Sequence, residues 1–477
     1  MVRSFRKNFY YISCVISFIW FFLIYYPIVV SNWDNNMQDF TDNRHDFGQY
    51  YIGALVAKYD LWDQLYPKPH ENIYNAPPSL QKYIGYPFFM YNNSAELEGR
   101  WSFYGSVASP ENSSIGNALK DKYPRLQEGW HYVCPPPLAI LLWPMGFLSY
   151  NQASYFWYLL MAASLSGVGF VSALIYRRLS ERRSCVEGLV VLLPAAVQVY
   201  LYLNQADYSF VSGNVSPFLG LLIAFVAYSM ITNRQIILGS CIMVLLLFKG
   251  IGLGWCPLLF LKPVKWRAIY TMASVSVFVL LMSLIAGGVT PYRDFFEIIP
   301  KANIALGIGL QGQLIHHFGF ENKNLFIMIG VFLYVMIYAL YLKGINCRDM
   351  QRESENQIYL LIGSMAVFVM SNPIVWPHYY VSYLLYPFAG FVIHMFQQNK
   401  VFERMAITLF FTYSVFMSKY AHDFAALNKS YFQKNEIEFV WALFHYAFSV
   451  VIPFVMTAIL FYFVCMRMRQ DSRCVNL

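Results

Sequence analysis

Long apolar runs separated by short basic connectors are the feature that most limits what this chain can fold into. A helix of about 20 apolar residues crosses a hydrocarbon layer about 30 Å thick. Only 13% of the 477 residues are charged, roughly half the share found in soluble domains. The sequence therefore predicts an all-α polytopic membrane protein, a single integral membrane domain over residues 1–477, with about 12 membrane helices. The runs lie near 9–30, 153–176, 184–203, 214–231, 236–248, 251–261, 267–286, 325–342, 357–371, 380–396, 404–418 and 438–466.

The positions of lysine and arginine predict which side of the membrane each connector faces, because short cytoplasmic loops are enriched in these residues. For all basic connectors to lie on one side, the runs 236–248 and 251–261 must form a hairpin broken near Lys249 and Gly250. Both termini are then cytoplasmic, and residues 31–152 form a long first loop outside, with juxtamembrane helices. These connectors account for the net charge of +8, so the charge does not indicate nucleic acid as a partner.

The outer connectors hold most of the polar residues that are neither anchors nor helix ends, so a site built from loops would face outside. In the first loop, apolar residues recur at helical spacing and predict an amphipathic helix that begins near Asp46. Asp46 could simply cap this helix. It could also supply a catalytic carboxylate, and Asp34, which lies closer to the first run, is the second choice.

Two further residues lie at the ends of apolar runs on the expected outer face, and one of them suggests anion binding. Lys249 ends an apolar run, where a lysine is costly unless it meets an anion or water. The alternative is that its side chain extends to the membrane interface. His378 begins another run, beside Trp376 and Tyr379, and could cap that helix or form a local hydrogen bond. No P-loop or Rossmann motif is present, so direct use of a nucleotide is not indicated.

The order of several motifs resembles glycosyltransferase family 87, which comprises polyprenyl-phosphate-sugar-dependent mannosyl- and arabinosyltransferases with the GT-C membrane fold. The similarity extends over about residues 46–390, and the motifs gain weight from their order and placement. They are Asp46-Phe47 with Tyr50-Tyr51, Leu65-Tyr66-Pro67, His131-Tyr132 with Pro136-Pro137-Leu138, Gly213-Asn214, Leu247-Phe248-Lys249, Gln311–Leu314, and Asn372-Pro373 with Trp376, His378 and Tyr379.

This resemblance implies an inverting transfer of one sugar, with mannose favoured, from a polyprenyl-phosphate donor to a glycan or glycolipid acceptor. Asp46 would be the general base, and Lys249 and His378 would bind the donor phosphate. No metal or other cofactor is expected. Location in a bacterial inner membrane, with the site on the extracytoplasmic side, is also implied. Residues expected to line the substrate are Tyr50, Tyr51, Asn214, Gln313, Trp376 and Tyr379.

Two other classes of function fit the same sequence. A transporter or flippase of lipid-linked sugars would use the polar residues to line a path. It would need such residues across the whole membrane depth, whereas here they concentrate at one face. A non-catalytic subunit of an envelope-assembly complex would need none of the carboxylates for chemistry. Sugar transfer by the purified protein in detergent separates the transferase from both alternatives.

Overall fold

A computed structural model describes residues 8–23, 45–62, 65–66, 134–180, 185–203, 213–261, 264–298, 323–344, 350–371 and 378–397. Within these ranges all regular secondary structure is helical, which confirms the all-α class. The α-helices are α1 (Asn8–Leu23), α2 (His45–Tyr59), α3 (Pro136–Leu142), α4 (Tyr150–Ser180), α5 (Val186–Leu203), α6 (Ser216–Ile231), α7 (Gln235–Lys249), α8 (Trp266–Gly287), α9 (Thr290–Ile298), α10 (Lys323–Gly344), α11 (Met350–Ser371) and α12 (Ala389–Gln397). Two 3₁₀ segments (Trp143–Phe147 and Ile251–Phe260) and one π-helix (Tyr380–Leu385) complete the list.

Among the described helices, two are long and apolar enough to cross a membrane, namely Gln152–Ser180 within α4 and Trp266–Gly287, which is α8. Other apolar helices, such as α6 and α7, are shorter than a full span. The number of about 12 spans therefore stays a prediction, and the last two predicted runs lie outside the described residues. The GT-C architecture likewise stays a prediction.

Helix α4 is the element around which the described bundle packs, since it contacts α5, α6 and α12. Small residues allow close approach at these contacts. A Cβ on Gly169 of α4 would clash with the backbone oxygen of Val191 of α5. At the α12 contact, the Gly390 N–H donates to Ser172 Oγ at 2.6 Å. Close packing through small residues is typical of helices that associate in a membrane.

The expected break near Lys249 is present. Helix α7 ends at Lys249, and Gly250 adopts the left-handed conformation (φ +67°) that commonly ends a helix. The following 3₁₀ segment folds back along α7, since Gly252 lies so close to the backbone oxygen of Ile242 that a Cβ there would clash with it. Its far end leads into α8, whose Arg267 N–H donates to Gln235 Oε1 at 3.1 Å, at the start of α7. Helices α7 and α8 are therefore parallel, and Lys249 lies towards the end of the bundle where α8 finishes.

Helix α2 differs from the expected amphipathic helix. It begins at His45, as the periodicity predicts, but every side chain described between Phe47 and Val56 is buried. The reason is that α3, the 3₁₀ segment after it and α4 all pack against α2. Tyr51 Oη donates to the oxygen of Leu148 at 2.9 Å. A Cβ on Gly146 would lie 2.6 Å from the oxygen of Ala54. Part of the predicted first loop is thus a core element of the bundle.

The orientation of α8 can be tested with single cysteines at its two ends. Arg267 and Val289 are both exposed, and α8 is long enough to separate them by a bilayer. We expect Val289→Cys to react with a membrane-impermeant maleimide from outside intact cells. Arg267→Cys should react only after the membrane is permeabilised. The parent protein with its native cysteines gives the background. Equal labelling of both positions from outside would overturn the predicted topology.

Candidate active site

The start of α6, the end of α7, the start of the π-helix and the first turn of α2 lie together. Of the residues expected from the sequence, this brings Lys249, His378, Tyr379 and Asn214 into one region. Asp34, Gln313 and Trp376 lie outside the described residues. Asp46 is the second residue of α2, so the helix backbone places it in the first turn.

Lys249 contributes a positive charge to this region. Its side chain is half-buried, and its Nζ lies 5.9 Å from the centroid of the Tyr379 ring. A cation within about 6 Å of a ring face is attracted to the negative face of the aromatic system. No carboxylate among the residues described in the structure pairs with Lys249. The ammonium group is therefore held by a ring and keeps its capacity to bind an anion.

His378 lies at the start of the helix that leads into the π segment, and it is buried. Its ring meets the ring of Tyr379 edge-on, with centroids 5.1 Å apart. Burial, and secondly the positive charge of Lys249, lowers the pKa of His378 from 6.5 to about 3. The imidazole is therefore neutral at pH 7. The expected role of His378 is therefore limited to hydrogen bonding. A neutral imidazole can donate a hydrogen bond to a phosphate oxygen but adds no positive charge.

The pKa shift of His378 predicts a pH dependence of stability. Between pH 6.5 and about 3 the unfolded chain binds a proton at His378 and the folded chain does not. Stability conferred by the neutral ring is therefore lost as the pH falls below 6.5. Between pH 6.5 and 5 we expect the wild type to lose about 2 kcal/mol more than His378→Gln, at about 1.4 kcal/mol per pH unit.

Thermal unfolding of the two solubilised proteins at several pH values measures this difference. The other histidines are present in both proteins, so their titration cancels in the comparison. Parallel pH profiles would show that His378 accepts a proton in the folded state.

The Gly213–Asn214 pair fixes the start of α6 and its contact with α2. Gly213 has φ +68°, and a Cβ there would lie 2.7 Å from the Cβ of Phe47. The backbone oxygen of Gly213 accepts a hydrogen bond from Trp157 Nε1 at 2.8 Å. A residue other than glycine would therefore be strained and would push the first turn of α2 away. The position of this turn, which carries Asp46, depends directly on Gly213.

Asn214 is buried, and its Oδ1 accepts hydrogen bonds from the Ser216 backbone N–H at 2.9 Å and from Ser216 Oγ at 2.5 Å. The oxygen of this amide therefore holds the first turn of α6. Contact of Asn214 with substrate stays a prediction.

Tyr50 and Tyr51 support α2 from the core. Both are fully buried. The Tyr50 ring stacks on Trp157 with centroids 4.9 Å apart and lies 6.2 Å from Phe248, the residue before Lys249. Tyr50 thus links α2 to the end of α7. In this structure the two tyrosines form the base of the region and do not line an open surface, and their contact with sugar or prenyl chain stays a prediction.

Three residues of this region were not identified from the sequence, namely Trp157, Ser216 and Tyr383. Trp157 joins α4 to Gly213 and Tyr50. Ser216 Oγ lies 3.0 Å from Tyr383 Oη, and the Tyr383 ring stacks on Tyr379 at 4.6 Å. The four-residue spacing of the two tyrosines was the only available signal, and apolar runs contain such spacings throughout.

Comparisons with known proteins agree with the resemblance of the motifs. The family model described as glycosyltransferase family 87 matches residues 130–372, just over half of the chain. The matched region extends from just before α3 through α11 and includes Gly213, Asn214 and Lys249. Asp46 and His378 lie on either side of it. Neither a search of curated proteins nor a search of solved structures finds a match. With more than half of its residues matched by this model, the chain belongs to glycosyltransferase family 87.

Proposed function

We propose that this glycosyltransferase moves a single sugar, with mannose favoured, from a polyprenyl-phosphate donor to a glycan or glycolipid acceptor. The observation that carries the proposal is the cationic group at the end of α7. Lys249 follows an apolar helix, lies over an aromatic ring and has no carboxylate partner among the described residues. A phosphate attached to a membrane lipid would reach this point with its prenyl chain still among apolar side chains. Donor use without a nucleotide is consistent with the absence of a P-loop or Rossmann motif.

The proposed reaction is a single displacement with inversion. The acceptor hydroxyl oxygen attacks the anomeric carbon of the donor sugar while the carboxylate of Asp46 takes the hydroxyl proton. The bond between the anomeric carbon and the phosphate oxygen breaks, and polyprenyl phosphate leaves with the electron pair. General-base catalysis of this kind contributes typically about 10²–10⁴-fold. Lys249 supplies positive charge, and His378 a neutral hydrogen-bond donor, where negative charge develops on the leaving group.

The location proposed for this site is the extracytoplasmic side of a multi-pass protein, in a bacterial inner membrane. The apolar surface of α8 supports contact with lipid, since Phe278 is 63% exposed and Ile285 is 80% exposed. Arginine residues in the last turn of α4 support a cytoplasmic position for that end. Helices α7 and α8 begin on this basic side, so Lys249 would lie on the opposite one.

Sugar transfer by the purified protein tests the proposal. The detergent-solubilised protein is incubated with short-chain polyprenyl phosphates that carry mannose, arabinofuranose or glucose, together with a glycolipid acceptor fraction. Mass spectrometry should detect an acceptor that gains one sugar and a free polyprenyl phosphate. A flippase would not form this product, because it moves the intact lipid-linked sugar and breaks no bond between sugar and phosphate.

Nucleotide sugars provide the control donors in the same assay. We expect no product from them. Transfer from a nucleotide sugar, with none from any lipid-linked sugar, would overturn the proposed donor class while leaving the glycosyltransferase activity in place.

A further inference from the structure

A column of side chains connects Lys249 to the buried start of α6. The Tyr379 ring lies under the ammonium group, and the Tyr383 ring stacks on Tyr379 with centroids 4.6 Å apart and planes inclined by 29°. Both tyrosines are buried, Tyr379 at 3% exposure and Tyr383 at 0%. The two rings therefore have fixed positions relative to the bundle.

The hydroxyl group of Tyr383 anchors this column. It lies 3.0 Å from Ser216 Oγ, which in turn donates to Asn214 Oδ1. Ser216 is the first residue of α6, and its backbone N–H also donates to Asn214. The position of the Tyr383 ring is thus determined by the same hydrogen bonds that start α6. This connects the Gly213-Asn214 motif with the segment around His378, although more than 160 residues separate them.

The segment that carries the stack includes a π-helix, which contains Tyr383. The π-helix covers Tyr380–Leu385 and begins directly after Tyr379. A π-helix inserts one additional residue per turn, and such turns occur frequently at functional sites. The segment is also pressed against α6, because a Cβ on Gly220 would lie 2.6 Å from the oxygen of Ser382. The irregular turn is therefore held in place by packing as well as by the Ser216 contact.

We propose that Tyr379 is the platform that holds the Lys249 ammonium group towards the donor phosphate, and that Tyr383 is a positioning residue that fixes this platform through Ser216. This inference rests on the proposed function of Lys249. A lysine side chain has four rotatable carbon–carbon bonds and loses considerable rotamer entropy when its end is fixed. A ring on one side of the ammonium group removes part of that cost before the donor arrives and leaves the other side for phosphate oxygens.

Binding of farnesyl phosphate to the purified full-length chain tests this step separately from sugar transfer. We expect Tyr379→Leu to raise the Kd by about 2- to 30-fold, since cation–π contacts contribute about 0.5–2 kcal/mol and about 1.4 kcal/mol is tenfold. Tyr379→Phe keeps the ring and should recover most of that affinity. Tyr383→Phe removes only the hydroxyl group and should raise the Kd by no more than about tenfold, the scale of one buried hydrogen bond.

A double-mutant cycle separates positioning from a general loss of structure. In a Lys249→Met background, Tyr379→Leu should weaken binding no further, because the group that it positions is gone. A purely structural effect of Tyr379→Leu would instead add to that of Lys249→Met.

Tyr386→Phe is the matched control. Tyr386 is another buried tyrosine just after the π-helix, and its Oη donates to Gln198 Oε1 at 3.0 Å, on α5. The Tyr386→Phe variant loses a comparable hydrogen bond outside the column, and it should bind farnesyl phosphate as the wild type does. Weakened binding in Tyr386→Phe equal to that in Tyr383→Phe would overturn the positioning role.

The remaining outcomes separate this inference from the proposed function. If Lys249→Met binds weakly but Tyr379→Leu and Tyr383→Phe bind normally, Lys249 needs no platform, and the inference is wrong while the proposed function stands. If the wild type neither binds farnesyl phosphate nor transfers a lipid-linked sugar, the proposed donor class is wrong, and the inference falls with it.

Discussion

Lys249→Met should reduce kcat/KM for the lipid-linked donor by about 10- to 100-fold, the scale of a lost hydrogen bond to a charged group. The contact with phosphate exists in the bound donor and strengthens as negative charge develops on the leaving group, so the donor KM should rise and kcat should fall. Methionine is unbranched like lysine and keeps much of the length of its apolar stem, but it lacks the ammonium group. Because Lys249 is half-buried and pairs with no described carboxylate, the variant should fold normally. Initial rates at limiting and saturating donor measure the effect.

Lys58→Met is the matched control for this prediction. Lys58 lies near the end of α2, and its Nζ is held over the rings of Tyr59 (4.9 Å) and Phe147 (5.2 Å). It is thus a second lysine packed against aromatic side chains, outside the candidate site. Its replacement should leave kcat/KM near the wild-type value. Normal turnover of Lys249→Met at limiting donor would instead identify Lys249 as an interfacial anchor.

The sequence predicted two helix ends near the candidate site well. The placement of the basic connectors required a break near Lys249 and Gly250, and the structure has α7 ending at Lys249 with Gly250 in the left-handed conformation. The apolar spacing after Asp46 indicated a helix, and α2 begins one residue earlier, at His45. The first feature was predicted from the charges of the neighbouring connectors, and the second from apolar periodicity.

The contacts that assemble these residues could not be predicted in the same way. The burial of α2 depends on α3 and the 3₁₀ segment after it, which are about 80 residues further along the chain. The Tyr383–Ser216 contact joins segments 167 residues apart. An apolar run gives no sign of where a π-turn will occur, since the same residues would suit a regular α-helix. Which faces of these runs meet is a property of the packed bundle.

The number of membrane spans illustrates a second limit. Hydropathy detects apolar residues but not the path of the backbone, so a hairpin of two short segments and two full spans give similar signals. Helix α7 and the 3₁₀ segment Ile251–Phe260 have 15 and 10 residues, both below the length of a full span. The hairpin was recognised only because the basic connectors required it. Charge placement was therefore more informative than hydropathy for this part of the chain.

Asp46→Asn should reduce kcat by at least about 10²-fold, the scale expected for removal of a general base. Asparagine keeps the size of aspartate and much of its hydrogen bonding, but it cannot accept the proton of the acceptor hydroxyl. Donor binding should be retained, because Lys249 and His378 are unchanged. A low kcat with a nearly normal donor KM would therefore distinguish a catalytic role from simple stabilisation of the first turn of α2, where an acidic residue is favourable.

Asp60→Asn is the control, and Asp34→Asn tests the competing assignment. Asp60 is exposed, follows α2 directly and has φ +57°, a conformation that asparagine also tolerates. Its replacement should leave turnover unchanged. Loss of activity in Asp34→Asn with normal turnover in Asp46→Asn would move the base to Asp34. Position favours Asp46, because Phe47 packs on Gly213 and Tyr50 lies beside Phe248, so the first turn of α2 is adjacent to the helix end that carries Lys249.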